Sequence, residues 1–125
     1  MKTRIILVED HDSVRRSLGR ALRAAGFAVK SFASAEELLE IPSGEIAADC
    51  LLIDVHLPGL SGQQLYEELR KRGLQVPAIC MSSDHSDRAR AAALQSGAVA
   101  FLLKPFEIGS LLDALDRCAL ASRRA

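Results

Sequence analysis

A regular alternation of short apolar runs with stretches of helical periodicity restricts the fold of this chain more than any other feature. The apolar runs fall at residues 4–8, 27–32, 49–53, 76–81 and 99–103. Each is followed by apolar residues at helical spacing, which predicts the order βαβαβαβαβα. Short units of this kind form a parallel sheet with helices on both faces. The prediction is an α/β fold, (βα)5, with a doubly wound five-stranded parallel sheet.

Length, composition and charge fit one domain over residues 1–125. Apolar residues make up 49% of the chain, enough to bury a core, and the 16 basic residues balance the 16 acidic ones. A chain with zero net charge has no overall attraction for nucleic acid or for a membrane surface, so direct binding to either is not expected. No apolar run approaches the roughly 18 residues that span a bilayer, and the N-terminus enters a strand directly, so a cytoplasmic location is expected.

The three cysteines, Cys50, Cys80 and Cys118, have no spacing typical of metal ligands. Two of them lie in predicted buried strands and the third lies on the apolar face of the last helix. Reduced side chains packed in the core are therefore expected for all three.

Four of the apolar runs end on polar residues that belong together chemically. Glu9 and Asp10 follow the first run, Asp54 the third, Ser82 the fourth and Lys104 the fifth. The carboxyl ends of parallel strands meet at one edge of the sheet, where ligands bind, so these side chains should gather there. Three carboxylates, a hydroxyl and a lysine form a site suited to a divalent cation and a phosphoryl group.

Asp54 ends a very apolar run and is the centre of this predicted site. An ionised carboxylate there is costly unless it is paired, and Glu9 and Asp10 add like charge that Lys104 only partly offsets. Mg²⁺ prefers oxygen ligands and works with one or two carboxylates plus phosphate oxygens, so it would complete the site. A carboxylate can also attack phosphorus, which makes Asp54 the candidate nucleophile. Lys104 and Ser82 would then stabilise the phosphoryl oxygens.

Several neighbouring polar residues receive other interpretations. Asp12 is expected to be the N-cap of the first helix rather than a ligand. Ser83 is an alternative to Ser82 as the functional hydroxyl. The three histidines, His11, His56 and His85, have no spacing that indicates a shared metal site.

The chain resembles the receiver domain of response regulators in two-component signalling, within the CheY-like superfamily. The matching elements, which span nearly the whole chain, are Glu9-Asp10, Asp54 with Leu57-Pro58-Gly59 and Gly62, Ser82, and Lys104-Pro105. The resemblance implies a flavodoxin-like sheet in the order 2-1-3-4-5. It also implies a Mg²⁺ cofactor and transfer of a phosphoryl group to Asp54 from a phosphohistidine of a sensor histidine kinase.

The resemblance further assigns metal ligands. Asp10, Asp54 and the backbone carbonyl of His56 would contact Mg²⁺ directly, and Glu9 would act through a metal-bound water. Glu9 stands where the family more often has Asp, and Ser82 stands where it more often has Thr, but each keeps the needed oxygen. His56, two residues after the acceptor, occupies a variable position and is expected to tune the lifetime of the phosphoryl group.

The resemblance also implies a conformational switch and an output domain. Phe101 occupies the position of an aromatic residue that turns inward when Ser82 moves toward the phosphoryl group, and Lys104-Pro105 is expected to be a cis bond. The segment 97–106 is similar to receivers attached to helix-turn-helix DNA-binding domains, so a transcriptional output domain after Ala125 is expected. The surface formed by residues 87–96, 99–103 and 107–121 is the predicted interface of a phosphorylation-dependent homodimer.

Three alternative functions fit the sequence less well. A phosphatase of the haloacid-dehalogenase type needs a second Asp two residues after the nucleophile, where this chain has His56. A flavin or nucleotide binder needs a Gly/Ser/Thr-rich loop after the first strand, where the acidic residues 9–12 would repel phosphate. A receiver-like module that binds partners without phosphorylation would not need the complete set of site residues. The preferred prediction is a phosphorylated signalling switch that turns over no metabolite.

Overall fold

Five strands and five helices alternate along the chain in a computed structural model that describes residues 2–124. The strands are β1 (Arg4–Val8), β2 (Ala28–Phe32), β3 (Cys50–Asp54), β4 (Ala78–Ser82) and β5 (Ala100–Leu103). The helices are α1 (Asp12–Ala24), α2 (Ala35–Leu39), α3 (Gly62–Lys71), α4 (Asp87–Gln95) and α5 (Ile108–Arg124). A short 3-10 helix, Ser43–Glu45, precedes β3. The strands pair in parallel in the order β2-β1-β3-β4-β5, which confirms the predicted fold class and strand order.

The helices cover both faces of the sheet. On one face, α1 and α5 pack against alternate residues of the central strands, and Leu22, Leu111 and Leu52 belong to one buried cluster there. On the other face, α2 and α3 cover Leu51 and Ile53, and α4 covers the β4–β5 end. All five residues of β3 are buried, as expected for a central strand covered on both faces.

The register of the sheet aligns the strand ends that carry the predicted site. Val8 pairs with Ile53, so the residues that follow them, Glu9 and Asp54, lie beside each other. Asp54 pairs with Met81, and Ser82 pairs with Leu103, the residue before Lys104. The Lys104-Pro105 bond is cis, as predicted.

The first residues of α1 and α3 determine where the loops after β1 and β3 end. Ser61 and Gln64 form a capping box at the start of α3. Gly62 allows α3 to approach β3 closely, because a Cβ atom there would lie 2.3 Å from the backbone carbonyl oxygen of Asp54. The prediction for α1 was wrong by one residue: His11 occupies the N-cap position, and Asp12 is the first helical residue. The Asp12 side chain forms an ion pair with Arg15 rather than a cap.

The cysteines differ from the expectation of a fully reduced core. Cys50 on β3 and Cys118 on α5 form a disulfide, with Cα atoms 6.0 Å apart and a sequence separation of 68. The docking of α5 across the sheet brings them together, which the spacing in sequence does not indicate. Cys80 is free and buried, and burial raises the pKa of its thiol to about 11. Within residues 2–124, no helix combines the length and apolar character needed to cross a membrane.

Candidate functional site

Asp54, Glu9 and Lys104 form a buried charged cluster at the carboxyl edge of the sheet. The Asp54 side chain is held at the end of β3 with only 4% of the residue exposed, and Glu9 is fully buried. The Lys104 ammonium reaches between the two carboxylates. It donates to Oδ2 of Asp54 at 2.7 Å and to Oε1 of Glu9. One lysine therefore contacts two buried carboxylates, so the cluster retains a negative charge when all three groups are ionised.

The pKa values reflect this arrangement. Burial raises the pKa of Glu9, and Asp54 adds to that effect, although Lys104 opposes it. Burial also acts to raise the pKa of Asp54, but hydrogen bonds from Lys104 and from the backbone N–H of His56 outweigh it and leave that pKa below its usual value. The His56 N–H lies 2.9 Å from Oδ1 of Asp54. Asp54 is thus the carboxylate of the pair that stays ionised most readily, as a nucleophile requires.

Asp10 and His11 extend the cluster on the side of β1. Oxygen or nitrogen atoms of Glu9, Asp10, His11 and Asp54 all lie within 4.8 Å of one another, close enough to share one metal ion. Oδ1 of Asp10 is buried and has no hydrogen-bond partner among residues 2–124. A buried carboxylate oxygen without a donor is costly, and a hard cation would satisfy it. The donor set therefore fits Mg²⁺.

Ser82, at the end of β4, adds a hydroxyl group to the same edge of the sheet. Its side chain is fully buried, and its Oγ accepts a hydrogen bond from the backbone N–H of Asp84 at 2.9 Å. The imidazole Nε2 of His56 lies 3.1 Å from the same oxygen. Ser83, the alternative hydroxyl, is exposed. The loop after β3 therefore contacts both the carboxylate of Asp54, through its backbone, and the hydroxyl of Ser82, through a side chain.

Residues 5–116 match the family model of the response regulator receiver domain. The chain belongs to this family. It is 39% identical over 114 residues to nodulation protein W of Bradyrhizobium diazoefficiens, an alignment covering 91% of this chain and 50% of that protein. It is 37% identical over 112 residues to the DNA-binding transcriptional regulator NtrC of Klebsiella pneumoniae, an alignment covering 89% of this chain and 24% of that protein. The chain thus spans half or less of the length of these relatives.

The solved structures agree with this assignment. The crystal structure of FixJ-N superposes on the chain with a TM-score of 0.87 at 30% identity, covering 100% of this chain and 97% of that one. The chain is therefore a receiver of the two-component type, a signalling switch, with transcriptional regulators among its relatives.

Phe101 of this receiver lies in β5 and points inward. Its ring packs with Cys80, Ala93 and Ala98, and only 8% of the residue is exposed. The guanidinium of Arg90 on α4 lies 6.0 Å from the ring centroid, within the range of a cation–π contact. The sequence pattern alone does not indicate this contact between α4 and β5.

Two further residues at the site were not predicted from the sequence. His11 is exposed, yet its Nδ1 lies 3.4 Å from Oε2 of Glu9 and 3.5 Å from Oδ1 of Asp10. Arg15 donates to the backbone carbonyl of Glu9 at 2.9 Å and so holds the acidic segment against α1. Arg15 lies in the first two turns of α1, six residues after Glu9, and nothing in the sequence pattern indicated this contact.

Proposed function

We propose that this receiver accepts a phosphoryl group on Asp54 from the phosphohistidine of a sensor histidine kinase. The observation that carries the proposal is the setting of Asp54, a buried carboxylate with a lowered pKa, bonded to Lys104 and lying beside an acidic cluster. In the transfer, a carboxylate oxygen forms the new P–O bond while the P–N bond breaks, and the departing imidazole takes up a proton. Residues 1–125 act in this proposal as one phosphoacceptor domain.

The acidic residues supply the cofactor site in this proposal. Asp10, Asp54 and the backbone carbonyl of His56 would hold Mg²⁺ directly, and Glu9 would contribute through a water molecule. When bound, Mg²⁺ provides positive charge that neutralises phosphoryl oxygens. The buried oxygen of Asp10 that lacks a donor supports this assignment, because the cation would supply its missing partner.

Lys104 and Ser82 act on the phosphoryl group in the same proposal. The Lys104 ammonium, already 2.7 Å from the acceptor carboxylate, supplies a positive charge beside it. The Ser82 hydroxyl donates a hydrogen bond to a phosphoryl oxygen. The receiver catalyses its own phosphorylation and dephosphorylation and acts on no metabolite.

A groove beside Lys104 gives the phosphodonor a surface to contact. It has a volume of about 460 Å³ and is lined by residues of α1 and of the loop after β5, among them Val14, Leu18 and Phe106. Because Lys104 lines this groove and also bonds to Asp54, we propose that the kinase docks there.

The phosphoacceptor proposal is tested with a small phosphodonor, which removes the need for the kinase. Incubation with acetyl phosphate and Mg²⁺ is expected to add one acid-stable, base-labile phosphoryl group, seen by intact-protein mass spectrometry. Excess EDTA should prevent the addition, because the metal site would be empty. An unmodified protein after incubation with Mg²⁺ and acetyl phosphate would contradict the proposal.

The output proposal rests on the relatives and on Phe101. One relative is named a DNA-binding transcriptional regulator, and we propose that this receiver likewise controls a DNA-binding output domain beyond Ala125. Ser82 and Phe101 form the switch in this proposal: the phosphoryl group draws the Ser82 hydroxyl toward Asp54 and stabilises the inward position in which the Phe101 ring already lies. The surface formed by α4, β5 and α5 then presents a self-complementary patch for a homodimer.

Phosphorylation is therefore expected to strengthen homodimerisation. Sedimentation velocity over a concentration series would compare the unmodified protein with its beryllofluoride complex, which mimics the phosphorylated state. The beryllofluoride complex should associate at lower concentration, and Ser82→Ala should reduce that difference. Equal association of both forms would contradict the dimer proposal while leaving the phosphoacceptor proposal intact.

A further inference from the structure

The imidazole of His56 contacts the hydroxyl that is proposed to bind the phosphoryl group. His56 itself is exposed in the loop after β3, whereas Ser82 is fully buried, and their Nε2 and Oγ atoms are 3.1 Å apart. The backbone N–H of His56 bonds to Oδ1 of Asp54 at the same time. One residue therefore connects the proposed acceptor with the proposed hydroxyl donor, through different groups.

The hydrogen-bonding capacity of Ser82 makes this contact consequential. A serine hydroxyl has one proton to donate and two lone pairs to accept with. The backbone N–H of Asp84 uses one lone pair of Oγ at 2.9 Å. If Ser82 donates to Nε2 of His56, its only proton is unavailable to a phosphoryl oxygen. If Nε2–H instead donates to Oγ, the hydroxyl proton of Ser82 is free to donate. Both lone pairs of Oγ are then occupied, and these two hydrogen bonds hold the oxygen in place.

We infer that His56 is a positioning residue that competes with the phosphoryl group on Asp54 for the Ser82 hydroxyl. With either tautomer of the imidazole, movement of the hydroxyl toward a phosphoryl group breaks or rearranges the His56 contact. The contact therefore stabilises the unphosphorylated receiver and opposes the switch. This inference rests on the proposed function and adds a residue that sets how strongly phosphorylation is coupled to Ser82.

The first test measures the affinity of the Mg²⁺-loaded protein for beryllofluoride by isothermal titration calorimetry at fixed pH. A net hydrogen bond of ordinary strength corresponds to a change of roughly three- to tenfold in an equilibrium constant. His56→Ala is therefore expected to bind beryllofluoride about three- to tenfold more tightly than wild type. The substitution leaves the backbone N–H and carbonyl of residue 56 in place, so the acceptor and the proposed metal ligand are retained.

Two matched variants separate the hydrogen bond from other effects of the substitution. His56→Gln places an amide at a similar reach and is expected to restore affinity close to that of wild type. His85→Ala, which removes an exposed histidine from the neighbouring loop after β4, should leave the affinity unchanged. A His56→Gln protein that behaves like His56→Ala would overturn the hydrogen-bond basis of the inference.

A double-mutant cycle with Ser82 gives the decisive readout. In the Ser82→Ala background, His56→Ala should no longer alter beryllofluoride affinity, because the hydroxyl for which His56 competes is absent. The ¹⁵N shift of His56 Nε2 should also change when beryllofluoride binds to wild type, and Ser82→Ala alone should produce a similar change. An equal effect of His56→Ala with and without Ser82 would overturn the inference.

The outcomes distinguish this inference from the proposed function on which it rests. Beryllofluoride binding that is lost in Asp54→Asn, with identical affinities for wild type and His56→Ala, would overturn the role of His56 alone. No beryllofluoride binding by any of these proteins would overturn both.

Discussion

Asp54→Asn is expected to abolish phosphorylation of this receiver by acetyl phosphate and Mg²⁺. Asparagine has nearly the same shape as aspartate, but its neutral amide cannot act as the nucleophile that forms an acyl phosphate. Intact-protein mass spectrometry over a time course would show the modified mass in wild type and its absence in the variant. The effect should be a complete loss rather than a slower rate, because Glu9, the other buried carboxylate that contacts Lys104, has a raised pKa, whereas the pKa of Asp54 is lowered.

The matched control is Asp12→Asn, at the same edge of the sheet. Asp12 is exposed and paired with Arg15, so its removal should leave phosphorylation unchanged. Circular dichroism of both variants would establish that each is folded. An adduct of unchanged stoichiometry in folded Asp54→Asn would mean that another residue is the acceptor.

The sequence predicted most of the fold because the dominant signal was local. The apolar run before Asp54 lies on a strand that is buried along its whole length, and the parallel order follows from the alternation of strands and helices. The same order placed Glu9, Asp54 and Lys104 at one edge, since each directly follows or ends a strand. Predicted strand boundaries differ from the observed ones by at most two residues, and the N-cap of α1 by one.

Contacts that depend on loop conformation or helix docking were not predictable in this way. The approach of His56 to Ser82 joins residues 26 apart through a side-chain rotamer and the path of the loop after β3. The Cys50–Cys118 disulfide depends on where α5 crosses the sheet, which the periodicity of α5 does not specify. The odd number of cysteines, their lack of metal-ligand spacing and their predicted buried positions favoured reduced thiols, and none of these signals indicates that Cys50 faces Cys118.

The arrangement of the charged side chains at the site was also only partly predictable from the sequence. The sequence indicated that Lys104 could offset one of the three carboxylates, but only the structure shows its ammonium between Asp54 and Glu9. That geometry leaves Asp10 without a cationic partner from β5. Oδ1 of Asp10 accepts no hydrogen bond from the residues that the structure describes, and burial, together with the neighbouring Asp54, raises the pKa of Glu9 although Lys104 opposes it.

Mg²⁺ is therefore expected to raise the melting temperature of the receiver. A ligand at 100 times its dissociation constant stabilises the folded state by about 2.7 kcal/mol, which corresponds to roughly 10 °C for a chain of this size. Thermal denaturation over a MgCl₂ series would be compared with NaCl at matched ionic strength. The Mg²⁺ effect should exceed the NaCl effect, because the cation binds the acidic cluster rather than screening it from a distance.

Asp10→Ala should abolish this Mg²⁺ effect and, without Mg²⁺, should melt above wild type. The substitution removes a ligand, and it also removes a buried oxygen without a donor and one of the negative charges that repel one another. Asp12→Ala is the matched control, because it removes an exposed acidic residue of the same segment and should keep the full Mg²⁺ response. An equal rise of melting temperature in both salts, or an unchanged Mg²⁺ response in Asp10→Ala, would exclude Asp10 as a ligand. Asp10→Ala is thus expected to have a higher melting temperature than wild type without Mg²⁺ and to show no further rise when Mg²⁺ is added. This combination would separate a metal site from a structural role of the same carboxylate.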